Sequence, residues 1–368
     1  MIPVCEPLLT GNEREFVLDC LQTGWISSAG KYLEKFERGW ADYCSMKHGM
    51  AVSSGTAALQ IAARLLDLIP GDEVIMPTFT IISCAQAVTE CGGVPVLVDS
   101  DPVNWQMDVS QIESKITAKT RAIMAVHIYG HPVEMDPLLK IARANGLTVI
   151  EDAAEVHGAE YNRKKCGGLS DISVFSFYAN KLITTGEGGM VLTQSNALAE
   201  RVRSFRNLCF QKKRRFSHDE LGYNFRMTNI QAALGMAQLE RIEQIIDRKR
   251  SIAQAYSKRL KDVPGIVLPV EEPWAKSVYW VYGVVLEEST GITSEQFAQL
   301  LFEQRVETRP FFLGIHEQPV FRKMGLFINE RYPIAERLAR QGLYLPTGLT
   351  IQKTEIDNVC DAVRKALT

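Results

Sequence analysis

The sequence lacks several features that would assign it to a specialised class of protein. Its 368 residues carry a net charge of −2, so no overall electrostatic attraction to nucleic acid or to an anionic membrane surface is expected. No apolar run is long enough to span a bilayer, and the first residues do not follow the pattern of a signal peptide. Low-complexity tracts and internal repeats are also absent. These absences predict a globular protein that binds neither nucleic acid nor membrane.

The eight cysteines are scattered along the chain. No two of them show the Cys-x-x-Cys spacing that is typical of zinc sites and redox motifs. His127, His131 and His157 lie in separate motifs without the spacing of metal ligands. We therefore expect reduced thiols, a cytoplasmic location and no metal centre.

Short apolar runs rich in β-branched residues alternate with amphipathic helical segments through the first two thirds of the chain. This alternation predicts an α/β protein with a mostly parallel central sheet that is covered by helices on both faces. The predicted strands lie at residues 73–77, 94–99, 122–128, 147–152, 172–177 and 189–193.

The pattern changes in the last third, and the length of the chain favours two domains. Residues 228–261 are predicted to form one long amphipathic helical segment, after which come strands punctuated by proline and further helices. We predict a large domain over residues 1–240 and a smaller α+β domain over residues 241–368. The first residues of the chain can pack on the smaller domain.

Four motifs occur in a fixed order, each at the end of a predicted strand or the start of a predicted helix. Ligands of open α/β sheets bind beyond the carboxyl ends of the strands, so these motifs are expected to converge. The first motif, at residues 53–66, places Gly55 and Thr56 at the start of a helix. The unpaired N–H groups of a helix N-terminus suit a phosphate, although a plain helix cap is the alternative.

The second motif, VIEDAAEVHGA at residues 149–159, ends an apolar strand with Asp152. A buried carboxylate is costly without a cationic partner. The protonated pyridine nitrogen of pyridoxal 5′-phosphate (PLP) would be such a partner, because an aspartate commonly supports that cofactor. Glu155 would then face the phenolic oxygen of the ring. A helix-capping aspartate is the alternative interpretation.

The third motif, FSFYANKLITTGEGGMVLT at residues 175–193, contains Lys181 just after a strand. Apolar surroundings tend to lower the pKa of a lysine, which helps it to act as a nucleophile and a base. Ser176 offers a hydroxyl for a phosphate. A lysine in a surface loop is the alternative.

The fourth motif, LGYNFRMTNIQAALG at residues 221–235, places Asn224 and Arg226 before the long helix, where an amide and a guanidinium suit phosphate oxygens. Helix capping with a surface ion pair is the alternative. The basic run at residues 211–215 is either a loop that closes over a nucleotide diphosphate or a solvated loop.

Two residues of the second domain are also candidates for substrate binding. Arg309 can hold a diphosphate through two parallel hydrogen bonds. His316 lies seven residues further on, and it is either a substrate contact or a structural histidine.

Together, SSGTAAL, EDAAEVHGA, FSFYANK with GEGGM, and GYNFRMTNIQAALG resemble the DegT/DnrJ/EryC1/StrS group of sugar aminotransferases. The resemblance covers residues 25–349 and implies the fold-type-I aminotransferase architecture with PLP as cofactor. It also implies transfer of an amino group from glutamate to C4 of a nucleotide-linked 4-keto-6-deoxy sugar, with GDP as the expected nucleotide. The alternatives are an aminotransferase for a UDP- or dTDP-linked keto sugar, a non-enzymatic regulator, and a PLP-dependent sugar dehydratase, whose relatives carry histidine in place of the lysine.

The resemblance implies a role for each candidate residue. Lys181 would hold the cofactor as a Schiff base, Asp152 would pair with the pyridine nitrogen, and Glu155 would lie near the phenolic oxygen. The residues implied to hold the phosphate are Gly55, Thr56, Ser176 and, from a neighbouring subunit, Asn224. The residues implied to contact the substrate are Arg226, Arg309 and His316. The contribution of Asn224 implies a homodimer with shared active sites.

Two positions depart from the commoner pattern of the family. Glu155 stands where many relatives have glutamine. Ile81 stands where many relatives have an aromatic residue that stacks on the cofactor ring, and isoleucine can cover a ring only by dispersion.

Overall fold

The computed structural model describes residues 1–211 and 213–367; Lys212 of the basic run lies outside the described residues. The helices are α1 (Glu13–Thr23), α2 (Lys31–Tyr43), α3 (Gly55–Arg64), α4 (Ser83–Glu90), α5 (Ile112–Lys115), α6 (Met135–Ala144), α7 (Asn196–Phe205), α8 (Asn229–Leu239), α9 (Ile242–Leu260), α10 (Ser294–Glu303), α11 (Pro319–Lys323), α12 (Pro333–Gln341) and α13 (Lys353–Leu367). The strands are β1 (His48–Val52), β2 (Glu73–Pro77), β3 (Val94–Val98), β4 (Thr120–Val126), β5 (Thr148–Asp152), β6 (Glu160–Tyr161), β7 (Lys164–Lys165), β8 (Ile172–Ser176), β9 (Gly189–Thr193), β10 (Ile266–Val267), β11 (Ala275–Lys276), β12 (Tyr282–Leu286), β13 (Arg309–Pro310) and β14 (Gly342–Leu345).

Seven strands form the central sheet in the order β1-β9-β8-β5-β4-β2-β3. The pairs from β8 to β3 are parallel, and β9 runs antiparallel to both of its neighbours. The prediction of a mostly parallel sheet is confirmed. All the predicted strands are present, with ends that differ from the prediction by two residues or fewer. Strand β1 was not predicted, since HGMAV is short and has little β-branched character.

The second sheet contains β10, β12, β14 and β13, and all of its pairs are antiparallel. Helices α9, α10 and α13 supply the apolar side chains that share its core, among them Tyr256, Phe297 and Val359. The start of the chain joins this unit, because Ile2 pairs with Val306. Among the described helices, none has both the length and the apolar character needed to cross a membrane.

The predicted helical segment at residues 228–261 is divided into two helices. Helix α8 ends at Leu239 and α9 begins at Ile242. Arg241 leaves the helical conformation, with φ −128° and ψ 23°. Its guanidinium instead forms a 2.7 Å ion pair with Glu13, whose side chain is buried. This long-range ion pair favours a turn at Arg241, although the amphipathic pattern of the sequence shows no break there.

Asn229 joins the start of α8 to the start of α2. Its side-chain Oδ1 accepts hydrogen bonds from the backbone N–H groups of Tyr32 and Leu33, at 3.0 and 3.2 Å. Its Nδ2 donates to the carbonyl of Trp25 at 2.7 Å. The residue before α2 is Gly30, which has no side chain to cap the helix, so Asn229 satisfies N–H groups that would otherwise have no partner.

Replacement of Asn229 by alanine should destabilise the protein strongly. The change leaves two N–H groups and one carbonyl without partners at a site that is 1% exposed. We expect a loss of about 2 to 4 kcal/mol in the free energy of unfolding, measured by urea denaturation. Asn145→Ala is the matched control, because the Asn145 side chain makes one exposed bond and its loss should cost less than about 0.5 kcal/mol. Similar losses for both variants would contradict the capping role.

Candidate active site

The carboxyl ends of β5 and β8 and the start of α3 enclose a cavity of about 380 Å³. Three of the four motifs meet there. The predicted site residues that line the cavity are Gly55, Thr56, Asp152, Glu155, Ser176 and Lys181.

One part of the cavity is formed by the N-terminus of α3. Ser54 caps this helix, since its Oγ accepts a hydrogen bond from the N–H of Ala57 at 3.1 Å. A Cβ atom at Gly55 would lie only 2.7 Å from the Cβ of Ser176, so a side chain there would push the helix away from β8. The hydroxyl of Thr56 bonds that of Ser83 at 2.9 Å. Hydroxyls and free N–H groups therefore lie together in a setting that suits a phosphate.

Asp152 ends β5 and is almost fully buried. Its carboxylate accepts a hydrogen bond from the N–H of Ala154 at 3.0 Å and from the thiol of Cys84 at 3.2 Å. Burial nevertheless raises the pKa of Asp152, because these two donors do not replace the lost water. The described residues give this carboxylate no ion pair, and a cationic group in the cavity would stabilise it.

Lys181 projects into the same cavity, and its side chain is 10% exposed. Its Nζ lies 3.6 Å from Glu155 Oε1 and 3.6 Å from the centroid of the Trp280 ring. Burial lowers the pKa of Lys181, and burial raises that of Glu155 to about 7. The amine is therefore easier to deprotonate than an ordinary lysine, as a nucleophile and a base require.

A second buried carboxylate, Glu151, lies next to Asp152 in sequence. It accepts hydrogen bonds from His127 Nε2 at 3.0 Å and from the hydroxyl of Ser173 at 3.0 Å. His127 in turn accepts a hydrogen bond from the N–H of Val133. His127, Glu151 and Cys166 are close enough to be considered as metal ligands, but these hydrogen bonds account for the pair without an ion.

Asn224 and Arg226 do not line the cavity of their own chain. Asn224 is exposed and pairs through its backbone with Asn207. The guanidinium of Arg226 donates to Asn207 Oδ1 at 2.8 Å. The implied role of Asn224 concerns a neighbouring subunit, and it stays a prediction.

Arg309 and His316 differ in their access to the cavity. Arg309 is half exposed, forms a 2.6 Å ion pair with Glu307, and lies opposite Tyr344, which lines the cavity. His316 is 1% exposed, and its Nδ1 bonds the hydroxyl of Thr78 at 2.7 Å. Burial lowers its pKa. The burial of the ring and its bond to Thr78 favour the structural interpretation of His316 over a contact with the substrate, and the substrate role stays a prediction.

The cavity wall contains residues that the sequence motifs did not single out. Trp280, Phe312 and Tyr344 come from the second half of the chain, and Tyr178 precedes the lysine. Ile81 also lines the cavity, whereas Phe79 is fully buried. The aromatic segments were visible in the sequence, but apolar aromatic runs equally indicate a buried core, and only the tertiary fold separates the two uses.

Comparison with known proteins agrees with this geometry. The sequence matches the DegT/DnrJ/EryC1/StrS aminotransferase family over residues 7–364. The chain belongs to this family. It is 42% identical to GDP-perosamine synthase of Caulobacter vibrioides, covering 100% of this chain and 98% of the relative. It is 41% identical to GDP-perosamine synthase of Escherichia coli O157:H7, with coverage of 99% and 98%.

Solved structures of the family have the same fold. Streptomyces venezuelae DesV, in complex with a ketimine intermediate, is 35% identical with a TM-score of 0.90, covering 97% of this chain and 94% of that one. Helicobacter pylori PseC, an aminotransferase, is 26% identical with a TM-score of 0.94, covering 100% and 99%. Family membership confirms the predicted fold class and the predicted class of enzyme, a sugar aminotransferase.

Glu155 should make the stability of the cofactor-free protein depend on pH. Its pKa rises from 4.5 in the unfolded chain to about 7 in the fold, so between these values the folded protein holds a proton that the unfolded chain has lost. The stability contributed by this group is full below the lower value and is lost as the pH rises through the higher one. We expect a loss of roughly 1 to 3 kcal/mol over this range, measured by urea unfolding.

Glu155→Gln is the control, because glutamine has nearly the same size and does not titrate. The stability of the wild type relative to this variant should fall between about pH 5 and about pH 7.5. His157, whose pKa burial lowers to about 3, gives the opposite slope, but it does so in both proteins and cancels in the comparison. A constant difference across this range would show that Glu155 does not titrate there.

Proposed function

We propose that this protein is a PLP-dependent aminotransferase that moves the amino group of glutamate to C4 of GDP-4-keto-6-deoxymannose, giving GDP-perosamine. The observation that carries the chemistry is that Lys181, whose pKa burial lowers, lines the same cavity as Asp152 and the N-terminus of α3. The choice of sugar is supported by identities of 42% and 41% to two GDP-perosamine synthases over almost the whole chain.

The cavity contains groups that would serve the three functions that PLP requires of a protein. The start of α3 with Gly55, Thr56 and Ser176 would hold the phosphate. Asp152 would pair with the ring nitrogen, which would remove the cost of burying that carboxylate without a cation. Lys181 would hold the cofactor covalently. When bound, PLP supplies an electron sink that stabilises negative charge on the carbon next to the reacting amine.

Lys181 would act as the base once the amino donor has released it. It would take the proton from Cα of glutamate, and in the second half of the reaction it would deliver a proton to C4 of the sugar. Asp152 would keep the ring nitrogen protonated through both halves, since its buried carboxylate forms no ion pair with any of the described residues. Glu155, close to the amine, would accept or return a proton near neutral pH.

The remaining candidates would act on the substrates. Ile81, Phe312 and Tyr344 would exclude water from the reacting atoms. Arg309, which lies opposite the cavity-lining Tyr344, would receive the diphosphate of the nucleotide through paired hydrogen bonds. A substrate contact of Arg226 is less directly supported. Arg226 does not line the cavity, and its guanidinium donates to Asn207 Oδ1.

A homodimer with shared sites is part of the proposal. The segment that leads to Asn224 exposes two large apolar side chains, Phe216 at 82% and Leu221 at 86%. A subunit interface would remove both apolar side chains from water. A second subunit that covers them would bring Asn224 towards a neighbouring cavity.

Two alternatives concern the reaction and the sugar. A PLP-dependent sugar dehydratase is disfavoured, because relatives of that kind carry histidine where this chain has Lys181. An aminotransferase for another nucleotide sugar is supported by the 37% identity to the dTDP-3-amino-3,4,6-trideoxy-alpha-D-glucose transaminase of Streptomyces venezuelae, which covers 91% of this chain and 87% of the relative.

Lys181→Ala should abolish amino transfer. Loss of the nucleophile and base should lower kcat/KM by about a thousandfold or more, and PLP should no longer attach covalently. The measurement is NMR detection of the aminated sugar formed from glutamate and GDP-4-keto-6-deoxymannose. Lys140→Ala, at an exposed position of α6, is the control and should remain active. Near-normal turnover by the Lys181 variant would refute the mechanism.

A panel of keto sugars should identify the acceptor. We expect the GDP-linked sugar to give the highest kcat/KM and the new amine to appear at C4. A product aminated at another carbon, or a preference for a UDP- or dTDP-linked sugar, would contradict the GDP-perosamine assignment while leaving the aminotransferase class intact.

A further inference from the structure

Trp280 lies directly against the amine of Lys181. The distance of 3.6 Å from Nζ to the ring centroid is well inside the range of roughly 6 Å over which a cation is attracted to an aromatic face. Tryptophan gives the strongest contacts of this kind. The second neighbour of the amine is Glu155 Oε1. Trp280 and Glu155 thus both bear on where the Lys181 amine is placed, since the ring centroid and the carboxylate oxygen each lie 3.6 Å from its Nζ.

Trp280 is fixed in place by bonds to both halves of the molecule. Its indole Nε1 donates to the carbonyl of Asn180, the residue before the lysine, at 2.8 Å. Its own carbonyl accepts a hydrogen bond from Lys249 Nζ of α9 at 2.7 Å. Lys249 is buried and also donates to the carbonyl of Thr347 at 2.7 Å. Hydrogen bonds therefore hold Trp280 both at the edge of its indole ring and at its backbone carbonyl.

The backbone before Trp280 adopts an unusual conformation. Tyr279 has a φ of +46°, in the left-handed region that few side chains favour. The preceding segment bonds Gly130, whose carbonyl accepts from the N–H of Val278 and the hydroxyl of Ser277. A Cβ atom at Gly130 would lie 2.5 Å from the backbone N of Trp280. Strain that the surroundings enforce is characteristic of functional sites.

We propose that Trp280 is a positioning residue that holds the amine of Lys181 whenever that amine is not bonded to the cofactor. The inference rests on the proposed function, in which the lysine is released and recaptured in every reaction cycle. A free lysine side chain has several rotatable bonds, and confinement against a flat ring keeps the amine within reach of the reacting carbon. An aromatic face accepts no proton, so the N–H groups stay available for proton transfer.

The effect of the indole on the Lys181 amine can be distinguished from the effects of the other titratable groups nearby. Glu155 and Asp152 both favour the protonated amine, and burial opposes them. His157 is fully buried and neutral near pH 7, because burial lowers its pKa to about 3. Removal of the indole leaves the carboxylates in place, so its effect on the amine can be measured separately.

The test is the rate at which PLP attaches to the cofactor-free protein, followed by absorbance from about pH 6 to about pH 10. Only the neutral amine attacks the aldehyde, so the midpoint of the rate profile reports the protonation of Lys181. In Trp280→Leu, loss of the aromatic face should lower the midpoint by up to about one pH unit. The limiting rate at high pH should fall about tenfold, because the amine is less well positioned.

Two further variants separate the ring from the rest of the side chain. Trp280→Phe keeps an aromatic face but loses the bond to Asn180, and its profile should lie closer to the wild type than that of Trp280→Leu. Trp280→Met, which fills much of the space without a ring, replaces the leucine variant if that protein does not fold. Trp105→Leu, at a buried tryptophan with no contact to Lys181, is the control and should leave the profile unchanged.

The outcomes separate this inference from the proposed function. A wild-type protein that attaches no PLP would refute the proposed function and the inference with it. A wild-type protein that attaches PLP normally, beside a leucine variant with the same midpoint and limiting rate, would refute only the role of Trp280. Equal shifts in the phenylalanine and leucine variants would also refute it, because they would assign the effect to the lost hydrogen bond.

Discussion

The active site depends on one close approach between a helix and a strand. Helix α3 begins so near the end of β8 that a side chain at residue 55 would collide with Ser176, and glycine alone avoids the collision. This contact sets the free N–H groups of a helix beside a strand hydroxyl. Because β8 is the parallel neighbour of β5, it also brings Asp152 to the same edge of the sheet. The proposed binding of the phosphate and of the ring would therefore both follow from a single packing constraint.

The same edge concentrates charge that burial would ordinarily exclude. Asp152, Glu155 and Lys181 are all removed from water, and burial raises the pKa of each acid while lowering that of the amine. These opposite shifts narrow the difference in pKa between Glu155 and Lys181, whose charged atoms lie 3.6 Å apart. Proton transfer between them therefore costs less free energy than it would between an exposed glutamate and an exposed lysine, and glutamine at position 155 could not take part in it.

Much of the fold could be predicted from the sequence because it rests on local patterns. The apolar runs that form β2, β3, β4, β5, β8 and β9 of the central sheet are visible in the sequence. The order of the motifs places three of the four motifs at one edge of that sheet. The features that the sequence did not predict depend on contacts between residues that are distant along the chain. The break at Arg241 follows from an ion pair with Glu13, and the burial of His316 follows from a bond to Thr78. Trp280 lies beside Lys181 and follows Tyr279, whose backbone is in the left-handed region. Tyrosine has no preference for that region, so its sequence position does not indicate this conformation.

The contact between Trp280 and Lys181 also joins the two halves of the chain at the amine of Lys181. The indole bonds Asn180 on one side, and its carbonyl bonds Lys249 of α9, which shares the core of the second sheet. In the proposed reaction the site would accept first an amino donor and then a nucleotide sugar, and Lys181 would serve both. The position of Trp280 beside the Lys181 amine therefore depends on contacts from both halves of the chain, the bond to Asn180 at the indole and the bond from Lys249 at the backbone.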